Sequence, residues 1–234
     1  MKYSKYPRIY IDVQLLTGKI IPLDKDQLNY LKTVLRLKDG FKLRVFNEND
    51  GEYFANLLIK NLECNLKLLE KFRDIIVPRY EVTLLVPLIK LDRFELMCDM
   101  VTQLGIVSII PIITERVQRR ELNFDRLNKI VKEATRQSER FISPRVSHQI
   151  YLEDIEFGDY NIILFANEME QNQSSLEFDN VQKIAILVGP EGGFTDYEIR
   201  TILSKCNVVS MSLGDSVLRT ETAVISMLSL INYM

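Results

Sequence analysis

From residue 82 onward the chain carries five short runs that are apolar almost without a break: "VTLLVP" (82–87), "IVSIIPII" (106–113), "NIILFA" (161–166), "IAILV" (184–188) and "NVVSM" (207–211). A strand with one wet face alternates apolar and polar residues, whereas continuous runs of this length belong to strands covered on both faces. Between them lie helical patterns, "RFELMCDMVTQLG", "FDRLNKIVKEATRQSERF", "TDYEIRTILSK" and "TETAVISMLSLINYM". Strands alternating with helices predict an α/β fold with a mostly parallel sheet.

The first third of the chain has a different grammar. "RIYIDV", "FKLRVFN", "GEYFANLLI" and "NLKLLEKF" are short β-branched or aromatic runs separated by Gly40, Asn49-Asp50-Gly51 and Asn61. They predict a small β-rich unit. One helix interrupts it after Asp24 and Asp26, with Leu28, Leu31, Val34 and Leu35 on one face and Asp39-Gly40 closing it. The division expected is therefore 1–73 for this unit, 74–81 ("DIIVPRYE") as linker, and 82–234 for the α/β domain.

Composition removes several function classes. The 234 residues are 47% hydrophobic and 26% charged, near the average of globular proteins. No apolar run reaches the ~18–20 residues of a membrane span, and "MKYSKYPRIY" has no signal-peptide core. Cys64, Cys98 and Cys206, the three cysteines, are far apart and unpaired in spacing. They read as reduced thiols of a cytoplasmic protein and not as zinc ligands. His148 is the single histidine, which excludes histidine-based metal clusters. The net charge of -2 is unevenly spread. Residues 1–80 hold 15 Lys/Arg against 10 Asp/Glu, 113–149 hold 9 against 5, and 150–234 hold 4 against 13. A polyanion would meet the first two segments and avoid the third; ordinary solvated faces give the same count.

Two stretches carry chemistry. In "LVGPEGGFTDYE" (187–198) Thr195 and Glu198 form a capping box, so "GPEGG" is a strand-to-helix turn at the carboxyl end of a buried strand. Glycine admits a ligand close to the backbone. The spacing matches neither nucleotide fingerprint, and Glu191 would repel a pyrophosphate. A phosphate-free, positively charged nucleoside fits this loop; a plain tight turn with Glu191 on the helix dipole is the alternative. In "SLGDSVLRTETAV" (212–224) a glycine turn again leads into a helix, with Arg219 and Glu221 at its start and Thr220 or Thr222 as candidate N-cap. An Arg–Glu surface pair is the bland reading there.

These two stretches together resemble the ribosomal RNA small subunit methyltransferase E family, of the SPOUT class, and the resemblance runs the length of the chain. "PRIY" (7–10) and "VLRLKDG" (34–40) are similar to the family's N-terminal motifs, "QLGIVSIIPIITER" (103–116) to its entry strand, "RQSER" (136–140) to its helical Gln/Arg motif and "ANE" (166–168) to its first cofactor loop. Met100 and Gln103 stand where the family has Lys and Glu, Arg136 where it has Glu, and Tyr30 where His is common.

The resemblance implies a C-terminal SPOUT domain with a deep trefoil knot, a small PUA-like β-barrel before it, and homodimers touching through the last helix. Ala223, Val224, Met227, Leu228 and Ile231 on that helix are compatible with a dimer contact or with a core. It implies S-adenosylmethionine held by Phe165, Ala166 and Asn167, by Val188, Gly189, Pro190, Glu191, Gly192 and Gly193, and by Ser212, Leu213, Gly214, Val217 and Leu218. The implied reaction is methylation of uridine N3 in 16S rRNA. Arg219 would stabilise the uracil oxygens, and Glu221 or Glu191 would take the proton. RNA contact is expected from Arg8, Arg36, Arg116, Arg119, Arg120, Arg136 and Arg140, with no metal and no membrane partner; for Arg36 and Arg140 a structural ion pair is the equal alternative. Ribose 2′-O methylation, or an RNA-binding factor without catalysis, are the rival functions.

Overall fold

The computed structural model describes residues 5–60, 63–117, 121–170 and 181–233. The chain divides into two compact units, Met1–Val77 and Pro78–Met234.

In the first unit, β1 (Arg8–Tyr10), β2 (Ile20–Pro22), β3 (Lys42–Asn47), β4 (Gly51–Lys60) and β5 (Glu63–Arg73) form a five-stranded sheet in the order β1-β3-β4-β5-β2. β1 runs parallel to β3 and the other pairs are antiparallel. Among the described residues no pairing of β1 with β2 closes the sheet into a barrel. Its core gathers Ile9, Leu31, Leu43, Val45, Leu57 and Leu66.

The helix departs from its expected face. α1 (Lys25–Asn29) starts with an Asp24–Gln27 capping box, then widens into a π-turn over Tyr30–Val34, where Leu35 N–H donates to the Tyr30 carbonyl at 2.9 Å. The wider turn breaks the 3.6-residue period, so Leu31 is buried while Val34 is 62% exposed.

The β3–β4 hairpin is built on polar side chains. Asp50 Oδ2 accepts from Leu15 N–H at 2.8 Å and from Asn47 Nδ2 at 2.9 Å. Gly51 has φ +88°, and a Cβ there would lie 2.6 Å from the Arg73 carbonyl oxygen, which makes glycine obligatory. The bond from Leu15 holds the Asp50 carboxyl below its ordinary value of 3.8. A depressed folded pKa stabilises above the unfolded value and the contribution is lost as pH falls through the folded one. Asp50→Ala should therefore lower the thermal midpoint at pH 7 and cost little at pH 2; an equal loss at both pH values would refute the ionic origin.

The second unit is the α/β domain. β6 (Glu81–Pro87), β7 (Ser108–Ile113), β8 (Arg145–Val146), β10 (Ile162–Ala166), β11 (Lys183–Leu187) and β12 (Val208–Met211) lie in the order β12-β10-β11-β6-β7-β8, all parallel, with β9 (Ile150–Tyr151) on β7. Each expected apolar run forms a strand. α2 (Leu91–Gln103), α3 (Phe124–Gln137) and α5 (Thr220–Tyr233) contribute to the core that receives Leu84, Val86, Leu164, Ile184 and Ile186. α4 (Asp196–Leu203) packs with the opposite set, Leu85, Ile163, Phe165, Ala185 and Leu187. Burial on both sides is what the continuous apolar runs demand.

Residues 78–81 belong to this domain, since Tyr80 is buried in its core and Glu81 N–H donates to the Gln182 carbonyl at 2.7 Å. Ala223, Val224, Met227, Leu228 and Ile231 of α5 are also buried in that core. They are spent within the chain and do not offer a face to a partner.

Candidate active site

The strand order brings the carboxyl ends of β11, β10 and β12 side by side, and each runs into a loop. The turn after β11 crosses by α4 to β12 on the far side of β10, and α5 then returns to the opposite face. Such a switch in strand order opens a crevice at the sheet's end. Here the crevice is a cavity of about 440 Å³, within the usual range of small-ligand sites.

Its wall contains nearly all of the expected cofactor residues: Phe165, Ala166 and Asn167 from the first loop, the whole Val188–Gly193 stretch from the second, and Leu213, Gly214, Val217 and Leu218 from the third. Ser212 is outside the wall; its hydroxyl accepts weakly from Gly214 N–H at 3.4 Å. The wall also includes Glu168, Met169, Phe194, Asp196, Ser216 and Thr220. Five of these lie inside the quoted motifs and Met169 directly follows one, so the motifs themselves carry the signal.

Local bonding explains the loop shapes. Asn167 N–H donates to the Met211 carbonyl at 3.0 Å and its Nδ2 to Ser210 Oγ at 3.1 Å, bracing the first loop on β12. Gly193 N–H donates to the Pro190 carbonyl at 2.8 Å, closing the glycine turn. The Thr195–Glu198 capping box starts α4. The Thr220 hydroxyl, expected as a cap, instead donates to the Gly189 carbonyl at 2.9 Å. It ties the third loop to the second.

Two arginines come in from distant segments. Arg93, in the first turn of α2, places Nη1 3.5 Å from Glu191 Oε1 and 3.6 Å from Glu221 Oε1. No sequence pattern flagged it. Arg116 Nη1 donates to the Gly192 carbonyl at 2.6 Å and lines the cavity. The glycine loop has no cation of its own, and these two supply it.

Arg219 and Glu221 sit at the start of α5 and outside the cavity wall. Arg219 is exposed. The Glu221 side chain is 15% exposed, with Oε1 toward Arg93; among the described residues its buried Oε2 has no hydrogen-bond partner.

Two of the residues expected to meet RNA are committed to partners within the chain. Arg8 is a correction: it is 2% exposed and its Nε donates to Glu52 at 2.9 Å, because β1 lies inside the first unit. Arg140 is a second correction. Its guanidinium donates to the carbonyls of Thr102 at 2.6 Å, Ile106 at 2.9 Å and Gly105 at 3.1 Å, closing the end of α2, and burial pushes its pKa down to about 10. Arg136 pairs with Glu133, whose carboxyl it holds low. Arg36 is exposed, with φ 54°. Arg119 and Arg120 lie outside the described residues. Gln103 donates to Asp99 at 2.7 Å, so the departure from Glu is satisfied within α2. Among the described residues no group of three or more His, Cys, Asp or Glu gathers to hold a metal, and no helix is long and apolar enough to cross a membrane.

The family model for an RNA methyltransferase domain matches residues 77–232, and that for an RNA methyltransferase PUA domain matches 23–65. The ribosomal RNA small subunit methyltransferase E of Rickettsia conorii is 42% identical over 230 residues, covering 95% of this chain and 93% of that protein. The chain belongs to the ribosomal RNA small subunit methyltransferase E family. The relative in Mesomycoplasma hyopneumoniae is 28% identical over 86% of this chain and 89% of its own length. Among solved structures, a Legionella pneumophila methyltransferase in complex with S-adenosylmethionine is 26% identical with a TM-score of 0.80, covering 97% of both chains. The methyltransferase E of Neisseria gonorrhoeae, at 22% identity and a TM-score of 0.84 over 97% of both chains, shares the fold.

Proposed function

We propose that this chain transfers the methyl group of S-adenosylmethionine to N3 of a uridine in 16S rRNA. The three-loop cavity carries the reading. Its wall has backbone groups and apolar side chains for an adenosine, and among the described residues Glu168, Glu191 and Asp196 against one arginine, a balance suited to a cation and not to a pyrophosphate. The 42% identical relative bears the name of a small-subunit rRNA methyltransferase.

When bound, the cofactor supplies a sulfonium methyl group to a nucleophile held in line with it. The chain's own residues do the rest. Holding reacting atoms in near-attack geometry is worth about 7–11 kcal/mol. Arg219, at the cavity's rim, stabilises the uracil oxygens as N3 loses its proton. Glu191 is the better-placed acceptor of that proton, since it is in the wall and 53% exposed, whereas Glu221 is outside the wall and 15% exposed. RNA binding through the first unit and Arg36 would be salt-dependent. Trefoil threading of the three loops, homodimerisation and a cytoplasmic location complete the reading.

Nucleoside mass spectrometry of 16S rRNA incubated with the purified chain tests it. 3-Methyluridine is expected; 2′-O-methyluridine, or no methylation of free rRNA and of small subunits alike, overturns it. The cavity itself is tested by Gly189→Ala. The new Cβ would lie 3.0 and 3.1 Å from Phe194 ring carbons, and that ring is 8% exposed and set edge-on to Phe165 at 5.6 Å. Overpacking of this kind costs about 1–3 kcal/mol. Cofactor affinity by calorimetry should fall by roughly tenfold; an unchanged value would place the cofactor elsewhere.

A further inference from the structure

Among the described residues Arg116 is the single arginine or lysine in a cavity wall that also carries Glu168, Glu191 and Asp196. An adenosine moiety is uncharged and a sulfonium is positive, so neither asks for a cation. A guanidinium in that wall needs another explanation.

Its placement is set by several bonds. Val117 N–H donates to the Thr114 carbonyl at 3.1 Å, turning the chain after β7. Glu115 N–H donates to Glu198 Oε1 at 2.8 Å, and the other oxygen of that carboxylate accepts from Thr195 N–H at 2.8 Å. Glu198 is 4% exposed, so one buried carboxylate locks the segment before Arg116 to the start of α4. Arg116 Nη1 then reaches the Gly192 carbonyl at 2.6 Å, its one polar partner among the described residues. Gly192 and Gly193 leave space beside it; a Cβ at Gly193 would lie 3.8 Å from Nη1. The guanidinium is thus fixed at one edge and, among the described residues, its remaining N–H groups are uncommitted.

A planar fork held in this way matches a carboxylate. We infer that Arg116 binds the α-carboxylate of the cofactor's amino-acid tail and is the residue that distinguishes a nucleoside bearing that tail from one without it. The inference rests on the proposed use of S-adenosylmethionine. It also reassigns Arg116 from RNA contact to the cofactor. The three acidic wall residues would repel an unpaired tail carboxylate, so the arginine sets the tail's direction as well as its affinity.

The test is calorimetric titration with two probes, S-adenosylhomocysteine and 5′-methylthioadenosine, which share the thioadenosine and differ in the amino-acid tail. Arg116→Gln should weaken S-adenosylhomocysteine by about ten- to a hundredfold, the range for a hydrogen bond to a charged group. It should change 5′-methylthioadenosine by less than about twofold, and that ligand also reports that the cavity is still formed. Arg116→Lys should recover part of the loss. Parallel weakening of both probes would reduce Arg116 to a support for the glycine loop and overturn the inference. So would unchanged binding of S-adenosylhomocysteine. If the unaltered chain binds neither probe, the cofactor reading itself fails.

Discussion

Glu52→Gln should destabilise the first unit by about 3–5 kcal/mol, the cost of removing one partner from a buried ion pair. The Glu52 side chain is fully buried on β4 and serves three arginines: Arg8 Nε at 2.9 Å, Arg44 Nη1 at 3.6 Å and Arg73 Nε at 3.2 Å. Arg8 and Arg44 are themselves 1% and 6% exposed. Burial already pushes the Arg8 pKa down to about 10, against the pull of Glu52. The Arg8 guanidinium also stacks 3.4 Å from the Phe46 ring centroid, so it has no inexpensive route to water. The glutamine keeps the shape and removes the charge, leaving the arginines to repel one another. A small domain has roughly 5–15 kcal/mol in total, so a large share of its margin would go. Hydrogen exchange of the full-length chain should show faster exchange over 42–73 with little change over 81–113. Loss below about 1 kcal/mol by denaturant titration would mean that other partners hold the arginines.

The contrast between this cluster and the sheet of the second unit shows what a sequence exposes. Strand runs, glycine turns and the Thr195–Glu198 box are local: the physics acts within a few residues, and the letters record it. Arg8 and Glu52 are 44 positions apart, Arg116 and Gly192 are 76, and Arg93 and Glu191 are 98. Nothing in a linear pattern separates an arginine destined for a carboxylate from one facing water. Arg8 therefore looks like an RNA contact in the sequence, Arg140 looks equally like an RNA contact or a structural ion pair, and Arg93 carries no signal at all. The same limit applies to α1, where the period promised a face that a π-turn dissolves, and to α5, where an apolar stripe serves a core as well as it would a dimer. The cavity was legible because its residues cluster in three short loops. What braces those loops was not.

Arg219→Ala should lower kcat by roughly 10²- to 10³-fold, as loss of one preorganised group at a developing anion does elsewhere. Cofactor affinity should change less than about threefold, since Arg219 is outside the cavity wall. Its backbone is well anchored. The Arg219 carbonyl accepts from Ala223 N–H at 2.9 Å, and the adjacent Thr220 hydroxyl holds the Gly189 carbonyl at 2.9 Å. Among the described residues no bond or ion pair engages the exposed guanidinium. It is therefore an exposed cation on a fixed stem between the wall residues Leu218 and Thr220, an arrangement suited to charge that spreads from uracil N3 to the carbonyl oxygens. An exposed arginine also meets phosphates, so turnover must be measured at saturating RNA, where a pure binding defect disappears. Under that condition a persisting loss in kcat with unchanged cofactor affinity supports the electrostatic role. Full recovery at high RNA would make Arg219 a phosphate contact, and an equal loss of turnover and cofactor affinity would make it a support for the third loop. Arg219→Lys should restore part of the rate, because it returns the charge without the planar fork.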